Sequence, residues 1–474
     1  MRDRIFGRWS QAVLIALILL GVVTVSLYTN NLSSLHKSGS ETYSSVKSFG
    51  AAFTVNRTYT SKNNVIVNNL WRPSVQLSGG GSHNCALSNG NIYCWGRGGD
   101  GQLGNNGTAD SITPIPVVKG TSDIFNGQRM TQISGGQSHM CAVNSGLVAC
   151  WGKNTNGQLG RASGNTTSSS VPVQVATLGP TLITNQISAG GQSTCAVVAN
   201  NALCWGDNSK GQLGDGTTTM RTIPPPPTGT PQRSVAPKAT ASGDALYDKY
   251  ISQVQVGGLF ACAIANGEVY CWGDNTYGQL GNSAGGAGVT STVPVPVTKA
   301  SGVLLGKTVT QIATGYDYAC AIADGQAYCW GRNTYGQLGR AAGNTTDSNV
   351  PIAVKADTGT DALNGKTVTN ISSGGSGHTC AIADSKAYCW GRNDYGQLGN
   401  GNSPTNSGVP VDVSLAGVLS GKTATQLVGG ELYTCAIANG RAYCWGRNDY
   451  GQLGTNNSAQ TSVNVPYRVN DSYY

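Results

Sequence analysis

Apolar and polar residues along most of this chain alternate in short runs, and helical spacing is almost absent. Around residue 85 the order His83-Asn84-Cys85-Ala86-Leu87-Ser88 leads into Asn89-Gly90 and then Asn91-Ile92-Tyr93-Cys94-Trp95. Two-residue alternation on both sides of an Asn-Gly pair predicts a β hairpin. His83, Cys85 and Leu87 share one face, while Ala86, Tyr93 and Trp95 point to the other. Both faces are apolar, as in a sheet packed between two neighbours. The exception to this pattern is the continuous apolar run Ala12 to Leu27, preceded by Arg2, Arg4 and Arg8.

The hairpin recurs. CALSNGNIYCWGRGGDGQLG from Cys85 returns from Cys141, Cys195, Cys262, Cys320, Cys380 and Cys435, seven copies spaced by about 55 to 67 residues. Short strands precede the hairpins, as at Met130 to Ser134, Thr310 to Ile312 and Thr425 to Leu427. Val-Pro-Val segments follow them: Pro114 to Val117, Val171 to Val173, Val293 to Val297, Val350 to Val354, Val409 to Val413 and Val465 to Val469. Proline there marks an edge strand or a bulge. Four strands per copy make a blade, and this period predicts an all-β, seven-bladed β-propeller over residues 75–474. The first copy lacks a preceding Val-Pro-Val strand, so strand 465–469 is expected to complete the first blade and lock the ring. The Pro-rich stretch Ile223 to Pro237 reads as a surface loop.

All 14 cysteines lie in these copies, two in each, with eight residues between them. Asn-Gly and Asp-Gly favour a two-residue turn with positive φ at both central positions. Centring the turn there sets Ser88 against Asn91, Leu87 against Ile92, Ala86 against Tyr93 and Cys85 against Cys94. The cysteines then form a non-hydrogen-bonded pair with Cα atoms roughly 4.5 Å apart, close enough to bridge. The expected disulfides are Cys85–Cys94, Cys141–Cys150, Cys195–Cys204, Cys262–Cys271, Cys320–Cys329, Cys380–Cys389 and Cys435–Cys444. Two other readings stand beside them: reduced structural thiols, or a metal site, although zinc sites favour closely spaced Cys pairs.

Composition adds a compartment. Basic residues ahead of an apolar stretch form an export signal, and sixteen residues lie between a signal-peptide core and a full membrane span. Residues 1–28 are therefore either an uncleaved signal anchor, a transmembrane helix, or a cleaved signal peptide. Residues 29–74, rich in Ser, Asn and Thr, form a polar stalk or linker. Either reading puts the propeller on the extracytoplasmic side of the cell membrane, or secreted, where paired cysteines oxidise. The net charge of +8 is modest and unlike the dense basic stripe of a nucleic-acid binder.

Few residues suggest chemistry. Gly-Lys-Thr at 306–308, 365–367 and 421–423 lacks the spacing of a phosphate-binding loop and reads as a turn. His83, His139 and His378 occupy one repeat position, shared with Ser193, Phe260, Tyr318 and Tyr433, and read as packing or hydrogen bonding within each blade. No acidic residue recurs beside them, so no catalytic residue, metal site or cofactor is expected. Two residues after each repeat tryptophan stand Arg97, Lys153, Asp207, Asp274, Arg332, Arg392 and Arg447. Repeat symmetry places them on one rim with Tyr277, Tyr335, Tyr395 and Tyr450. That rim is either simply solvated or a partner-binding face, since Arg and Tyr are enriched at binding hot spots.

The repeat unit, Gly-Gly-x-x-His-x-Cys-Ala followed by Cys-Trp-Gly-x-Asn-x-x-Gly-Gln-Leu-Gly and Val-Pro-Val, resembles that of the regulator of chromosome condensation family over about residues 75 to 469. The resemblance is nearest to bacterial envelope proteins with the Cys-Trp-Gly signature. It implies a seven-bladed propeller and one of several roles: nucleotide exchange on a small GTPase, chromatin binding, or, in secreted members, inhibition of an enzyme. The export signal and paired cysteines depart from the nuclear exchange factors. The resulting expectation is a membrane-anchored or secreted binding module, not an enzyme. Its partner is a protein or an envelope glycan rather than nucleic acid, and the ring is monomeric. An exchange factor for a small GTPase and a secreted enzyme inhibitor are the alternatives.

Overall fold

The computed structural model describes residues 75–118, 129–144, 147–178, 183–225, 244–285, 289–298, 303–354, 362–413, 418–457 and 459–470. All belong to the unit Pro73–Tyr474. The signal segment 1–28, the linker 29–74, the turn at Ser145-Gly146 and most of the Pro-rich stretch lie outside the described residues. Among the described residues no helix is long and apolar enough to cross a membrane.

The described chain is a ring of seven antiparallel sheets, each built from consecutive strands. In blade one the order from the centre outward is Val75–Gly79, His83–Ser88, Asn91–Gly96 and Ser111–Pro116. Six blades have four strands. Blade three shows three among the described residues, with only an isolated bridge, Gly206 to Arg221, where its outer strand would pair. The hairpin register matches the turn argument: Ser88 faces Asn91, Leu87 faces Ile92, Ala86 faces Tyr93 and Cys85 faces Cys94. All seven expected disulfides are present, with Cα atoms 4.0–4.1 Å apart, closer than the separation expected from an unbridged pair. The proline strands are the outer edges, and the pairing slips between Cys94 and Gly96. Gly96 has φ +97° there, and a Cβ would lie 2.5 Å from the Ser82 carbonyl oxygen. Only glycine takes that bend without strain.

The expected closure is corrected. Ser462–Arg468 pairs with Arg441–Arg447 as the outer strand of blade seven, not with blade one. Blade one is already complete, because Val75–Gly79 is its own inner strand and Ser111–Pro116 its outer one. Among the described residues no strand passes from the last blade to the first.

Side chains close the ring instead. Each inner strand lines a central channel and carries one amide side chain that reaches the backbone of the next inner strand. The seven acceptances run Gln76 to the Ile133 amide (3.0 Å), Gln132 to Ile187 (3.0 Å), Gln186 to Val254 (2.7 Å), Gln253 to Ile312 (2.9 Å), Gln311 to Ile371 (3.2 Å), Asn370 to Leu427 (3.1 Å) and Gln426 to Leu77 (2.9 Å). Gln426 also donates to the Leu77 carbonyl at 2.9 Å, so the last blade is tied to the first like any other pair. Farther out, every repeat tryptophan donates its indole N–H to the carbonyl of the Gly-Gln-Leu-Gly glutamine in the preceding blade. For Trp95 that partner is Gln452, at 2.9 Å across the closure, and for Trp330 it is Gln279, at 2.9 Å. The apolar core is correspondingly a set of clusters between blades: Cys262 and Cys271 of blade four pack with Trp330 of blade five, and Cys435 and Cys444 of blade seven with Trp95 of blade one.

Replacing Gln426 with Leu leaves the Leu77 N–H and C=O without partners, each loss worth about 1–3 kcal/mol. Urea unfolding of Gln426→Leu is expected to show stability reduced by about 2–5 kcal/mol, and an unchanged midpoint contradicts closure by the amide ring.

Candidate functional site

Inner strands run from the face bearing the hairpin turns toward the face bearing the Gly-Gly loops. The Gly-Lys-Thr motifs lie on the first of these faces, as turn residues. Gly306, Gly365 and Gly421 have φ between +67° and +74°, and a strand follows each. Lys307, Lys366 and Lys422 lie over the rings of Tyr328, Tyr388 and Tyr443 at 6.0, 5.0 and 5.8 Å. Their ammonium groups are engaged within the blade, as a turn reading requires and a phosphate loop does not.

The three repeat histidines are fully buried. Their hydrogen bonds, where they exist, cross to the next blade, which corrects the reading of bonds within a blade. His139 Nε2 lies 2.9 Å from Thr194 Oγ1, and His378 Nε2 lies 3.0 Å from Thr434 Oγ1. At the same repeat position Tyr433 donates across the closure to the His83 carbonyl at 2.6 Å. The position that holds Thr194 and Thr434 in the other blades holds Met140 in the blade after His83, and neither ring nitrogen of His83 has a hydrogen-bond partner among the described residues. Burial holds the His83 pKa down to about 4, with the Arg97 charge adding to the effect and the approach of the His139 backbone partly offsetting it. Burial likewise lowers His139 to about 3 and His378 to about 4. These neutral, enclosed imidazoles, each lying against a glycine of its own blade (Gly80, Gly136 and Gly374), are packing groups rather than proton carriers.

The Gly-Gly face carries the arginines and tyrosines read from the repeat, and the fold stacks them in alternation. Arg332 lies over Tyr277 (4.7 Å), Arg392 over Tyr335 (4.7 Å), Arg447 over Tyr395 (5.4 Å) and Arg97 over Tyr450 (5.6 Å). Each pair joins an arginine to the tyrosine of the blade before it, so the ladder runs from blade four through blade seven to blade one. Three of the guanidinium groups are also paired: Arg332 with Asp317 at 2.8 Å, and Arg392 and Arg447 with Asp394 and Asp449, each at 2.6 Å. Burial pushes the Asp317 carboxyl up against the downward pull of Arg332. Arg97 has no carboxylate partner among the described residues and is exposed. Lys153 stands apart from the ladder, because the residue matching the tyrosine in blade one is Asp100. In blades three and four the arginine position holds Asp207 and Asp274, each accepting from its own loop glutamine, Gln212 and Gln279, at 2.8 Å. The face is therefore divided into a stacked Arg-Tyr arc and a short acidic arc. Among the described residues no cluster of His, Cys, Asp and Glu is arranged to hold a metal ion.

A closed ring of seven disulfide-bridged blades with a patterned upper face defines a repeat β-propeller. Comparison with known proteins gives its family. The sequence matches the RCC1-like domain over residues 180–472 and the regulator of chromosome condensation (RCC1) repeat over 89–143 and 145–197. It is 30% identical over 390 residues to the ultraviolet-B receptor UVR8 of Arabidopsis thaliana, spanning 81% of this chain and 79% of that one. It is 29% identical over 394 residues to human E3 ubiquitin-protein ligase HERC2, of which those residues cover only 7%. Among solved structures it resembles human WBSCR16 (TM-score 0.63, 21% identity, 80% of this chain and 93% of the other). Prp20p of Saccharomyces cerevisiae is similar to the same degree (TM-score 0.63, 20% identity, 81% and 86%). The chain belongs to the regulator of chromosome condensation repeat family.

The histidines make stability depend on pH in a definite direction. Above pH 6.5 the folded and unfolded chains are both neutral at His83, and stability is complete. Between 6.5 and about 4 the unfolded chain takes up a proton that the ring refuses, so stability falls as pH falls. His83→Phe repeats the residue of blade four and removes no hydrogen bond. It is expected to leave stability at pH 7 nearly unchanged and to reduce the loss between pH 7 and pH 5 by about 2 kcal/mol. Parallel urea curves for the two proteins at both pH values check this.

Proposed function

We propose that the protein is an exported, membrane-tethered propeller that captures a macromolecular partner on the Arg-Tyr arc of its upper face. The observation that carries this reading is the ladder itself, in which five successive blades present half-exposed tyrosines and arginines side by side. Planar side chains already stacked and ion-paired lose little further entropy on binding, and Tyr and Arg dominate contact energies at interfaces. The paired carboxylates leave the arc close to neutral, which suits a polar protein or glycan surface better than a polyanion. The family supports a binding role, since Prp20p is described with binding properties to Gsp1p and histones. The basic and apolar N-terminus supplies the export signal, and seven disulfides fit an oxidising compartment.

A photo-crosslinking residue placed at Tyr335 or Tyr395 in the full-length protein, expressed in its own cells, is expected to trap a discrete partner. The same residue at Leu305, exposed on the opposite face, is expected to trap none. Equal adducts from both faces, or adducts only from Leu305, contradict the assignment.

A further inference from the structure

The upper mouth of the central channel is built from one repeat position, the residue after the first conserved glycine of each inner loop. In chain order it holds Gly81, Gln137, Gly191, Gly258, Tyr316, Gly375 and Glu431. Three of these glycines are dictated by space. A Cβ would lie 2.6 Å from the Gln137 carbonyl oxygen at Gly81, 2.4 Å from that of Gly258 at Gly191, and 2.5 Å from that of Tyr316 at Gly258. Side chains therefore project into the mouth at only three places: an amide, a phenol and a carboxylate. All three line a channel of about 300 Å³, and of all its lining residues Glu431 alone carries a charge and Tyr316 alone is aromatic.

None of the three is consumed by the fold. Tyr316 is 46% exposed, with one part of its ring against Gly258 and the rest open to the mouth. Gln137 is exposed, and its side chain makes no hydrogen bond within the described residues. Glu431 receives only a long contact from Ser376 Oγ at 3.5 Å, and no cation pairs with it among the described residues. The surrounding backbone favours a cationic ligand. The mouth N–H groups of Gly81, Gln137, Gly191, Gly258, Gly375, Ser376 and Glu431 donate to carbonyls of the next loop around the ring, whereas the Tyr316 N–H has no acceptor among the described residues. No amide N–H among those donors is left to hold an anion, while each accepting carbonyl keeps a second lone pair. The field is negative as well. Besides burial, Asp317, Glu431, Asp207 and Asp274 all act to keep the Tyr316 phenol protonated. Deeper in the channel the amide side chains are committed to the inter-blade ring, so recognition belongs at the mouth.

We infer that the channel mouth is a binding site for a protonated primary amine, with Glu431 as the counter-charge, the Tyr316 ring as the cation–π face and the Gln137 carbonyl as a further acceptor. This site goes beyond the rim reading and stands without it. The two fail separately, because rim crosslinks report the outer arc and amine titration reports the mouth. A lysine side chain on a partner and a free alkylamine present the same ammonium chemistry.

The test is calorimetric titration of the full-length protein with N-acetyl-lysine methylamide, n-butylamine and the neutral N-acetyl-norleucine methylamide. The amines are expected to bind and the norleucine compound is not. Glu431→Gln, which keeps the size of the side chain, is expected to weaken amine binding by about ten-fold or more. Tyr316→Leu is expected to weaken it by about three-fold. Thermal melts of both variants establish that the ring is intact. Preference for the lysine derivative over butylamine identifies a partner's side chain as the ligand, and equal binding identifies free amines. Wild-type protein that binds no amine up to about 10 mM, a Glu431→Gln variant that binds as tightly as wild type, or equal binding of the norleucine compound each overturns the inference.

Discussion

The contact on which this ring depends is that between the disulfide of one blade and the tryptophan of the next. Sheets arranged around an axis meet face to face, so hydrogen bonds of the strand ladder cannot join them, and each junction is made by side chains together with loop backbone bonds such as that from the Gln137 N–H to the Gly190 carbonyl. Here the buried Cys320–Cys329 bridge of blade five shares an apolar cluster with Trp390 of blade six. The indole of Trp390 in turn reaches back 2.9 Å to the Gln337 carbonyl of blade five. One residue thereby fills the inter-blade core and, together with the Thr379 hydroxyl at 2.9 Å, satisfies a buried loop carbonyl. The sulfur pair fills the space opposite with a compact apolar surface, so the cysteines serve packing between blades as well as linkage within them.

That junction explains the other regularities. With the outer wall held by tryptophan, the inner wall needs its own tie, which the seven amide side chains provide around the channel. The rim needs less, and its arginines, stacked on the tyrosines of the preceding blades, add a third and more exposed seam. Function is then free to occupy positions where the repeat is broken. The arc from blade four to blade one differs from the acidic arc of blades three and four. At the mouth, Gln137, Tyr316 and Glu431 replace glycine.

Much of this was readable from the residues. Asn-Gly and Asp-Gly turns determine the hairpin register, and the register determines the cysteine partners, because both are local consequences of backbone geometry. The closure was misread because Val75–Gly79 has one fully buried side chain, Leu77, among polar neighbours, and so resembles a linker rather than a strand. The histidine bonds were misassigned for another reason. Thr194 and Thr434 are separated from His139 and His378 by more than fifty residues, and only the stacking of blades brings them together. The Arg-Tyr arc was visible as a set of equivalent positions, but its pairing with the preceding blade depends on the twist between sheets. The channel mouth was missed altogether. Its signal was present in the column Gly, Gln, Gly, Gly, Tyr, Gly, Glu, where a position otherwise closed to side chains admits three.

The account stands on oxidised hairpins in a ring proposed to be exported. The most direct measurement is the intact mass of the full-length protein taken from its own cells, denatured and alkylated without reductant, followed by peptide mapping. No alkyl groups, with bridges mapped as Cys85–Cys94 and its six counterparts, is the predicted result. Fourteen alkylated thiols would place the ring in a reducing compartment and contradict both the disulfide-bridged junction and the proposed export.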